Sequence, residues 1–396
     1  MNIVHFSAGR VNPLFAKVGS VNVIYWLALE QERLGHSVTV VVIPDRAKYP
    51  NAVAPGFEIM EFPRAMALRL RLSGQLERRI LEGHLRIDIA HLHGVYVPEM
   101  VAVARLLRRL GIPYVVSAHG SLSPLILARG DRLRKFVFRL LFTKRYLKGA
   151  AFLHIHAQGE VNDARAFGVW SPLVLAEHGF DWASIPFGQI NANWLSERFP
   201  EHARSFKLVF LGRLDPWTKG IDVLLEGLRR VAGTSLGDLA LFLIGPPKRR
   251  YRRVLPALVK KLRLSDRVVF VGPLYDPVEK FSALASADLF ALTSRFEGFP
   301  LVLLEAMASG KPLLVTPGTN ATAMVAAHRI GWVCDLDPAD IARGLLDAFR
   351  RRDELPSMGE AAKEAVRQMT WRHAAERLVA AYTSAVSGGT IEPAAI

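Results

Sequence analysis

Short apolar runs alternate with longer segments of helical periodicity along most of the chain. The first unit of this kind is the run MNIVHF, then the helix-like GSVNVIYWLALEQERLG and the run SVTVVVI. Four further runs follow, with predicted helices such as residues 99–110 and 132–147 between them: IDIAHLH, PYVVSAH, AFLHIHA and PLVLAEH. Continuous apolar runs of this length are typical of strands buried on both faces of a parallel sheet. The first half therefore predicts a doubly wound α/β domain.

The pattern restarts after a stretch of turn residues with little periodicity, around residues 180–205. The second half contains the runs KLVFLG, LALFLIG, RVVFVG, DLFALT, KPLLVT and GWVCD, again separated by helical segments. We therefore expect two doubly wound, Rossmann-like α/β domains, residues 1–180 and 181–370, that face each other across a cleft. A C-terminal helix, residues 371–387, is expected to pack back on the first domain. Ligands of such sheets bind at the carboxyl ends of the strands.

The charge balance narrows the range of partners. The chain has 51 Lys and Arg residues against 36 Asp and Glu, a formal net charge of +15. Such a surface favours polyanions, which include nucleic acid, an anionic bilayer and phosphorylated substrates. A basic RNA-binding protein would carry basic residues interleaved with aromatics on a strand face, whereas the basic clusters here lie mainly on predicted helices. We expect no nucleic acid partner.

Targeting and redox signals are few. The chain contains no run of 18 apolar residues, and its first residues, MNIVHFSAGR, lack the charged and apolar regions of a signal peptide. The single cysteine, Cys334, excludes an internal disulfide and is expected to be a small buried strand residue. These features predict a cytoplasmic protein.

Two glutamates occur in the segment SRFEGFPLVLLEAMASG. The run DLFALT predicts a strand, Glu297 lies on the loop after it, and Pro300 lies in the first turn of a helix. The unpaired N–H groups of this helix start, such as that of Leu301, can hold an anion. Glu305 lies about one and a half turns into the helix, so both carboxylates can reach one ligand. A sugar bearing a diphosphate offers hydroxyls and charge together; the alternative is two solvated surface glutamates.

Two basic residues occupy a second loop of this kind, in VFLGRLDPWTKGIDVLLEGL. Arg213 and Lys219 follow the strand LVFLG and precede a glycine and a helix. An arginine fork and a mobile lysine charge together suit the neutralisation of a leaving diphosphate. Basic loop residues are more often solvated, but the carboxyl end of another strand of the same domain favours a shared diphosphate site.

Together, GRLDPWTKG and EGFPLVLLEAMASGKP resemble the nucleotide-sugar half of the retaining glycosyltransferases of family four, the glycosyl transferases group 1, which have a GT-B type fold. The resemblance covers nearly the whole chain. It implies that Glu305 hydrogen-bonds the ribose, that Glu297 contacts the transferred sugar, and that Arg213 and Lys219 bind the diphosphate. It also implies that the backbone around the helix start approaches sugar and phosphate, at Gly298, Phe299, Pro300 and Leu301.

The N-terminal half matches the family less closely. In KVGSVN, Gly19 matches the first glycine of a pair whose amides meet the donor phosphate, whereas Ser20 replaces the second. In YVVSAHGSLSP, His119 stands where the family often has a histidine beside the transferred sugar; the alternative is a structural histidine. His178, in EHGFDW, replaces a frequent asparagine. The resemblance thus implies Glu297, His119, Arg213 and Lys219 as the catalytic set.

Two groups of residues resemble metal ligands. His91 and His93 end a strand, but no acidic or cysteine ligand accompanies them locally, so core packing or cleft lining is expected. Asp335 and Asp337 precede a predicted helix and are assigned to capping. Because GT-B enzymes generally work without a bound divalent ion, the resemblance implies no metal and no cofactor other than the nucleotide-sugar substrate.

Residues 129–149, RGDRLRKFVFRLLFTKRYLKG, combine basic and apolar side chains. They predict either a helix on an anionic bilayer or an ordinary amphipathic helix packed on its own domain. A similar segment occurs in bacterial transferases of exopolysaccharide and lipopolysaccharide biosynthesis, whose acceptors are lipid-linked glycans. The implied protein is peripheral to the inner face of the cell membrane.

The implied reaction moves a sugar from a nucleoside diphosphate to a hydroxyl of a growing glycan, with retained anomeric configuration. Two other enzymes could use such a scaffold. An epimerase would require a general acid and base around the sugar, and a phosphorylase of the glycogen type would require a lysine-bound pyridoxal phosphate. The sequence shows no convincing mark of either.

Overall fold

The computed structural model describes residues 1–8, 19–43, 56–65, 70–127, 136–232 and 238–391. The chain divides into two compact units. Unit 1 comprises Met1–Gly179 together with Thr370–Ile396, and unit 2 comprises Phe180–Met369. The last helix of the chain therefore belongs to unit 1.

Unit 1 contains a seven-stranded sheet whose strands are all parallel, in the order β3-β2-β1-β4-β5-β6-β7. Its strands are β1 Asn2–Ser7, β2 Ser37–Val42, β3 Glu58–Glu61, β4 Ile89–His93, β5 Tyr114–Ser117, β6 Phe152–Ile155 and β7 Leu173–Leu175. Its helices are α1 Gly19–Arg33, α2 Gly74–Leu81, α3 Pro98–Arg109, α4 Pro124–Leu127, α5 Lys144–Lys148, α6 Gly159–Phe167 and, at the C-terminus, α15 Trp371–Ser387. A π-helical turn, Arg139–Thr143, precedes α5.

The two faces of this sheet differ in chemistry. One face carries apolar side chains of β1, β4, β5 and β6, among them Phe6, Leu92 and Leu153, which pack with residues of α3 in one buried cluster. Successive side chains of a strand point to opposite faces. The alternate positions of β1, β4 and β6 carry buried histidines, on the face that contacts α1 and α15.

Unit 2 contains a six-stranded sheet, also all parallel, in the order β10-β9-β8-β11-β12-β13. Its strands are β8 Phe206–Leu211, β9 Leu239–Ile244, β10 Val268–Gly272, β11 Leu289–Leu292, β12 Leu313–Val315 and β13 Gly331–Val333. Its helices are α7 Trp194–Arg198, α8 Ile221–Val231, α9 Val254–Lys261, α10 Pro277–Ala285, α11 Leu301–Ala308, α12 Thr322–His328, α13 Pro338–Arg350 and α14 Leu355–Arg367. Short 3₁₀ turns occupy Trp182–Ser184, Phe187–Gln189, Pro200–His202, Arg249–Tyr251, Pro317–Thr319 and Arg352–Glu354.

The predicted fold class is confirmed, since both units are parallel-sheet Rossmann-like α/β structures. In each sheet the strand order reverses at one point, between β1 and β4 in unit 1 and between β8 and β11 in unit 2. Loops after two such strands diverge to opposite faces and leave a crevice at their carboxyl ends. The site predicted from the two glutamates lies at the second of these points.

One strand of the sheet does not follow from the apolar pattern. Strand β3, EIME, has two partly buried apolar residues between two exposed glutamates. It lies at the edge of the sheet with β2 as its single neighbour. An edge strand has less surface to bury, so a continuous apolar run is not required there.

Several local predictions can be compared directly with the structure. Asp337 caps α13 by accepting hydrogen bonds from the amides of Ala339 and Asp340, as its assignment to capping requires. Cys334 is buried. Of the predicted basic helix, residues 129–135 lie outside the described residues. None of the described helices has the length and hydrophobicity that crossing a bilayer requires.

A close contact between two strand ends gives the first testable prediction. Gly245 follows β9 with a φ of +137°, and a Cβ there would lie 1.9 Å from the carbonyl oxygen of Gly212. Gly245→Ala adds this clash to the backbone strain, so we expect unit 2 to lose about 3 kcal/mol or more of stability. The matched control is Gly272→Ala, because Gly272 has a φ of +89° and open space around it.

For the control we expect a loss of about 1–2 kcal/mol, from strain alone. Urea unfolding of both variants measures the difference. An equal effect of the two substitutions would contradict the close approach of the strand ends.

Candidate active site

Two loops of unit 2 meet at the point where the strand order reverses. The first joins β8 to α8, and the second joins β11 to α11. The amide of Arg295 donates to the carbonyl oxygen of Thr218 at 3.0 Å, and the Thr293 hydroxyl donates to that of Gly220 at 3.0 Å. A Cβ on Gly220 would lie 1.7 Å from the Thr293 carbonyl oxygen, and its φ is +62°. Only glycine allows this approach, so the glycine after Lys219 brings the two loops together.

The same approach joins two of the predicted site residues. The Lys219 ammonium donates to the Glu297 carboxylate, and the Ser294 hydroxyl donates to the same oxygen at 2.6 Å. The Lys219 and Glu297 side chains are 13% and 16% exposed, so the pair is shielded from bulk water but open to a ligand. Sequence reasoning placed both residues at one site without pairing them, and it missed Ser294.

A third loop, after β12, contacts the backbone of the Glu297 loop. The Asn320 side-chain amide donates to the carbonyl oxygens of Glu297 and Gly298, at 2.8 Å each. Gly318 lies so close that a Cβ there would come within 2.3 Å of the Ser294 and Arg295 backbone. The signal in the sequence is the turn-rich TPGTN directly after the strand KPLLV, which the predicted site did not include.

Helix α11 begins at the edge of this site. Pro300 is its N-cap residue, and no side chain caps the first turn. The unpaired N–H groups of a helix start favour an anion. Glu305, in the second turn, accepts a hydrogen bond from Lys280 of α10 at 2.9 Å, and both side chains are about one quarter exposed. Sequence reasoning missed Lys280, because helix packing rather than sequence spacing brings it to Glu305.

A buried carboxylate, Asp215, holds the β8–α8 loop, which also carries the exposed Arg213. Arg213 is exposed, and no ion pair joins its guanidinium to another described residue. Asp215 is fully buried and accepts hydrogen bonds from Lys248 at 2.5 Å and from the Thr218 amide at 3.2 Å. Burial alone would raise the pKa of Asp215, but the Lys248 ammonium and the Thr218 donor lower it below its ordinary value. Asp215 therefore remains an ionised carboxylate within this loop, two residues after Arg213.

The predicted site residues of unit 1 are less open. Gly19 begins α1, and the residues before it, 9–18, lie outside the described residues. His119 follows β5 with a φ of +48°, which is rare for a residue other than glycine. Its Nε2 lies 3.0 Å from Nδ1 of His93, and its Nδ1 lies 3.1 Å from Nε2 of His156. Both ring nitrogens are therefore engaged inside unit 1.

The turn after His119 is held by a buried carboxyl group. The Gly120 amide donates to Glu160 at 2.8 Å, and the His156 amide donates to the other Glu160 oxygen at 2.6 Å. Burial raises the pKa of Glu160 to about 7, although these backbone donors act in the opposite direction. Burial also lowers the pKa of His119 to about 3, so its imidazole is neutral at physiological pH. His91 and His93 are buried, in agreement with the predicted core packing.

Two family models match the chain. The model of the glycosyl transferase 4-like domain matches residues 18–176, and that of the glycosyl transferases group 1 matches residues 195–365. The two matches fall in unit 1 and unit 2, respectively. The second includes the Lys219, Glu297 and Glu305 positions.

Two relatives illustrate the range of similarity. A D-inositol 3-phosphate glycosyltransferase of Nocardia farcinica is 34% identical over 186 residues, which is 45% of this chain and 40% of the relative. A phosphatidyl-myo-inositol mannosyltransferase of Mycobacterium tuberculosis is 26% identical over 376 residues, 91% of this chain and 92% of the relative. The matched segment thus spans less than half of the first relative and nearly all of the second.

The fold is shared with solved glycosyltransferase structures. Anabaena HepE, solved in complex with UDP and glucose, matches with a TM-score of 0.72 and 18% identity, over 97% of this chain and 100% of that one. At this identity the similarity establishes the fold, which is of the GT-B type. Both family models and the shared fold agree with the resemblance found in the sequence: residues 18–176 match the glycosyl transferase 4-like domain, and residues 195–365 match the glycosyl transferases group 1.

Proposed function

We propose that the protein is a retaining glycosyltransferase that moves a sugar from a nucleoside diphosphate to a hydroxyl of a lipid-linked glycan in cell-surface polysaccharide biosynthesis. The observation that carries this proposal is the meeting of Lys219, Glu297 and the start of α11 at the strand-order reversal of unit 2. A cation, a carboxylate and free helix amides together match a diphosphate joined to a sugar.

The charge of the leaving group is the main catalytic problem. Departure of a nucleoside diphosphate breaks the bond between the anomeric carbon and the phosphate oxygen, which leaves an oxocarbenium-like sugar and new negative charge on the terminal phosphate of the leaving group. Arg213, Lys219 and the first amides of α11 supply fixed positive potential for this charge. We propose that these groups make a divalent ion unnecessary for the transfer.

The Lys219–Glu297 contact keeps both charges paired before the donor binds. Leaving either charge unpaired in a shielded site would be costly. When the donor binds, its diphosphate replaces Glu297 as the partner of Lys219, and a sugar hydroxyl replaces Lys219 as a donor to Glu297. The Ser294 hydroxyl and the Asn320 amide hold the Glu297 loop in place during this exchange. Binding and exchange of partners are thus coupled.

Glu305 is assigned to the ribose hydroxyls, and Lys280 orients its carboxylate. We assign His119 to the transferred sugar through its strained turn, because both its ring nitrogens are engaged. The leaving phosphate then helps to take the acceptor proton on the face it departs from, which retains the configuration at the anomeric carbon. The structure of HepE in complex with UDP and glucose supports a nucleotide-sugar donor.

A lipid-linked acceptor is supported by one relative and by one surface. The Mycobacterium tuberculosis relative is named for transfer to phosphatidyl-myo-inositol. In unit 1, the side chains of Phe136 and Leu141 are 60% and 59% exposed, directly before the exposed Lys144 and Lys148. Exposed apolar side chains beside basic ones suit the headgroup region of an anionic bilayer. We therefore propose attachment at the inner face of the cell membrane.

A donor screen tests the proposed activity. Mass spectrometry of UDP-, GDP- and ADP-sugars incubated with the protein should show slow hydrolysis of one class. Glu305→Ala should raise the KM for that donor by about 10- to 100-fold, because a hydrogen bond to a charged group is lost. It should also abolish discrimination against the 2′-deoxyribonucleotide form. The control is Glu364→Ala, which removes an exposed glutamate paired with Arg367 on α14.

Lack of turnover and of binding for every donor would overturn the transferase proposal. A normal KM in Glu305→Ala would overturn only the ribose assignment.

Lys219→Met tests the role of the diphosphate partner. We expect kcat to fall about 10²- to 10³-fold, because stabilisation of the leaving charge is lost. Lys207→Met is the matched control, since Lys207 lies on β8 at the opposite end from the site and donates to the carbonyl oxygens of Ala203 and Ser205. Initial rates on the screened donor measure both variants. Equal kcat values in the two variants would contradict the assignment.

Vesicle co-sedimentation tests the proposed membrane surface. We expect binding to vesicles with anionic lipid, little binding to neutral vesicles, and weaker binding as salt rises. Phe136→Asp combined with Leu141→Asp should reduce binding at least about tenfold, because apolar insertion is lost and negative charge is added. Phe187→Asp in unit 2, at a side chain 61% exposed, serves as control. Equal binding by all three proteins would show that another surface attaches the chain.

A further inference from the structure

Histidines occupy matched positions on adjacent strands of unit 1. His5 of β1 pairs in register with His91 of β4, and His93 of β4 pairs with Ser117 of β5. Ser117 pairs in turn with His154 of β6. Paired residues of parallel strands point to the same face, and so do residues two apart on one strand. One face of the sheet therefore carries a continuous row of imidazoles and hydroxyls.

The row is buried, and its members bond to one another. Burial lowers the pKa of His5 and of His154 to about 4, and it lowers the pKa of His91, His93 and His156 well below the ordinary value. Neutral imidazoles carry one N–H donor and one lone-pair acceptor each. Every hydrogen bond between two of them therefore fixes which nitrogen bears the proton.

One end of the row fixes the donor-to-acceptor direction of all its hydrogen bonds. His154 Nε2 lies 2.9 Å from the carbonyl oxygen of Ala176, which can only accept, so His154 carries its proton on Nε2. Its Nδ1 must then accept from the Ser117 hydroxyl, at 2.8 Å. Because Ser117 has donated its only proton, it accepts from Nε2 of His91, at 2.6 Å. His91 Nδ1 in turn accepts from the Tyr382 hydroxyl of α15, at 2.6 Å.

The same logic continues through Gln31 of α1. Tyr382 has donated its proton, so it accepts from the Gln31 amide nitrogen, at 3.5 Å. The amide oxygen of Gln31 then faces His5 and accepts from its Nε2, at 2.7 Å. His5 Nδ1 therefore accepts from Nε2 of His93, at 3.0 Å. The donor-to-acceptor direction set at Ala176 thus passes through residues of α1 and α15, which contact the histidine face of the sheet.

The row ends at the predicted site histidine and its neighbour. His93 Nδ1 accepts from Nε2 of His119, at 3.0 Å, and His119 Nδ1 accepts from Nε2 of His156, at 3.1 Å. This leaves His156 Nδ1 as a bare lone pair. That atom is buried, and no hydrogen-bond partner for it occurs among the described residues. The ring nitrogen at which the assigned hydrogen bonds must end is thus the same atom that lacks a partner in the structure.

We propose that this row is a single hydrogen-bonded chain running from His156 to Ala176, that it fixes six histidines as Nε2–H tautomers, and that His93 and His156 are positioning residues which hold the turn at His119. The six histidines are His5, His91, His93, His119, His154 and His156. The role in positioning rests on the proposed function, because it assigns the turn at His119 to the transferred sugar.

The turn needs such support. His119 has a φ of +48° and Gly120 a φ of +74°, so two successive residues adopt the left-handed conformation. A residue other than glycine is strained in this conformation, which persists only where contacts with the surrounding structure hold the backbone in place. The His119 ring is held from both sides, by His93 and by His156. The hydrogen-bonded chain therefore fixes the His119 ring, while Glu160 holds the Gly120 amide of the same turn.

A metal ion is the competing explanation for part of this cluster. One ring nitrogen each of His5, His91 and His93 lie within 4.8 Å of one another, a spacing that could hold an ion. Both ring nitrogens of each of these histidines already have a partner in the chain. An ion would break the His5–His93 hydrogen bond and one hydrogen bond of His91, so the geometry favours the hydrogen-bonded chain over a metal site.

Nitrogen NMR of the full chain, labelled with ¹⁵N-histidine, tests the tautomers directly. At neutral pH, six histidines should show a protonated Nε2 and an unprotonated Nδ1. Nδ1 of His156 should have the chemical shift of a lone pair without a donor. An Nδ1–H tautomer, a doubly protonated ring or averaged signals at any of the six would overturn the chain. Stoichiometric metal in the purified protein, with metal-shifted His5, His91 and His93 signals, would overturn it as well.

Amide substitutions test the positioning role, because glutamine can replace Nε2 of a histidine but not Nδ1. His156 uses only Nε2 in the chain, so His156→Gln should keep kcat within about threefold of wild type, whereas His156→Leu should lower it about tenfold or more. His93 uses both nitrogens, so His93→Gln should be as impaired as His93→Leu. Donor KM should change little in all four variants. The control is His84→Leu, at an exposed histidine of unit 1.

The outcomes separate the two proposals. Loss of kcat in His156→Gln equal to that in His156→Leu, or normal kcat in His93→Leu, would overturn the positioning role. If the wild-type protein turned over no donor, the proposed function would fail while the NMR spectra still decided whether the chain exists. Variants that do not fold leave this decision to the wild-type spectra.

Discussion

The close approach of Gly220 to the Thr293 carbonyl oxygen is the contact on which the proposed donor site depends. It joins the loops after β8 and β11, two strands that are neighbours in the sheet although far apart in sequence. The pairing of Lys219 with Glu297 depends on this contact, because each of the two residues lies within a few positions of it. The Asn320 side chain then fixes the Glu297 loop from the third strand end. The proposed donor site thus depends first on the close approach of two backbone segments and second on the charges of the side chains that this approach brings together.

Unit 1 differs from unit 2 in having buried histidines, which are polar, on one face of its sheet. Its sheet buries apolar side chains on one face and a row of histidines on the other. A buried polar group without a partner is costly, so such a row is stable only when nearly every donor meets an acceptor. Its direction, set by the Ala176 carbonyl oxygen and relayed by Gln31 and Tyr382, meets this requirement. Among the six histidines, the single ring nitrogen without a partner in the described part of the chain is Nδ1 of His156, which neighbours the proposed site residue His119.

The sequence was sufficient for the fold class and for placing Lys219 and Glu297 at one edge of the second sheet, because apolar runs reveal parallel strands and the carboxyl ends of such strands share one edge. It was not sufficient for Ser294, Asn320 and Lys280, since their positions depend on loop conformations and helix packing. The alternating histidines of HLH and HIH were visible in the sequence. Their role was not, because hydrogen bonding between strands depends on register, which only the structure provides.

The central claim is that the loops after β8 and β11 bind a nucleoside diphosphate sugar. Crystals grown with UDP and with GDP test it most directly. We predict difference density for one diphosphate within about 3 Å of Lys219 Nζ, with the Lys219–Glu297 contact broken and Glu305 on the ribose. A bound nucleotide elsewhere, with Lys219 still on Glu297, would contradict the account.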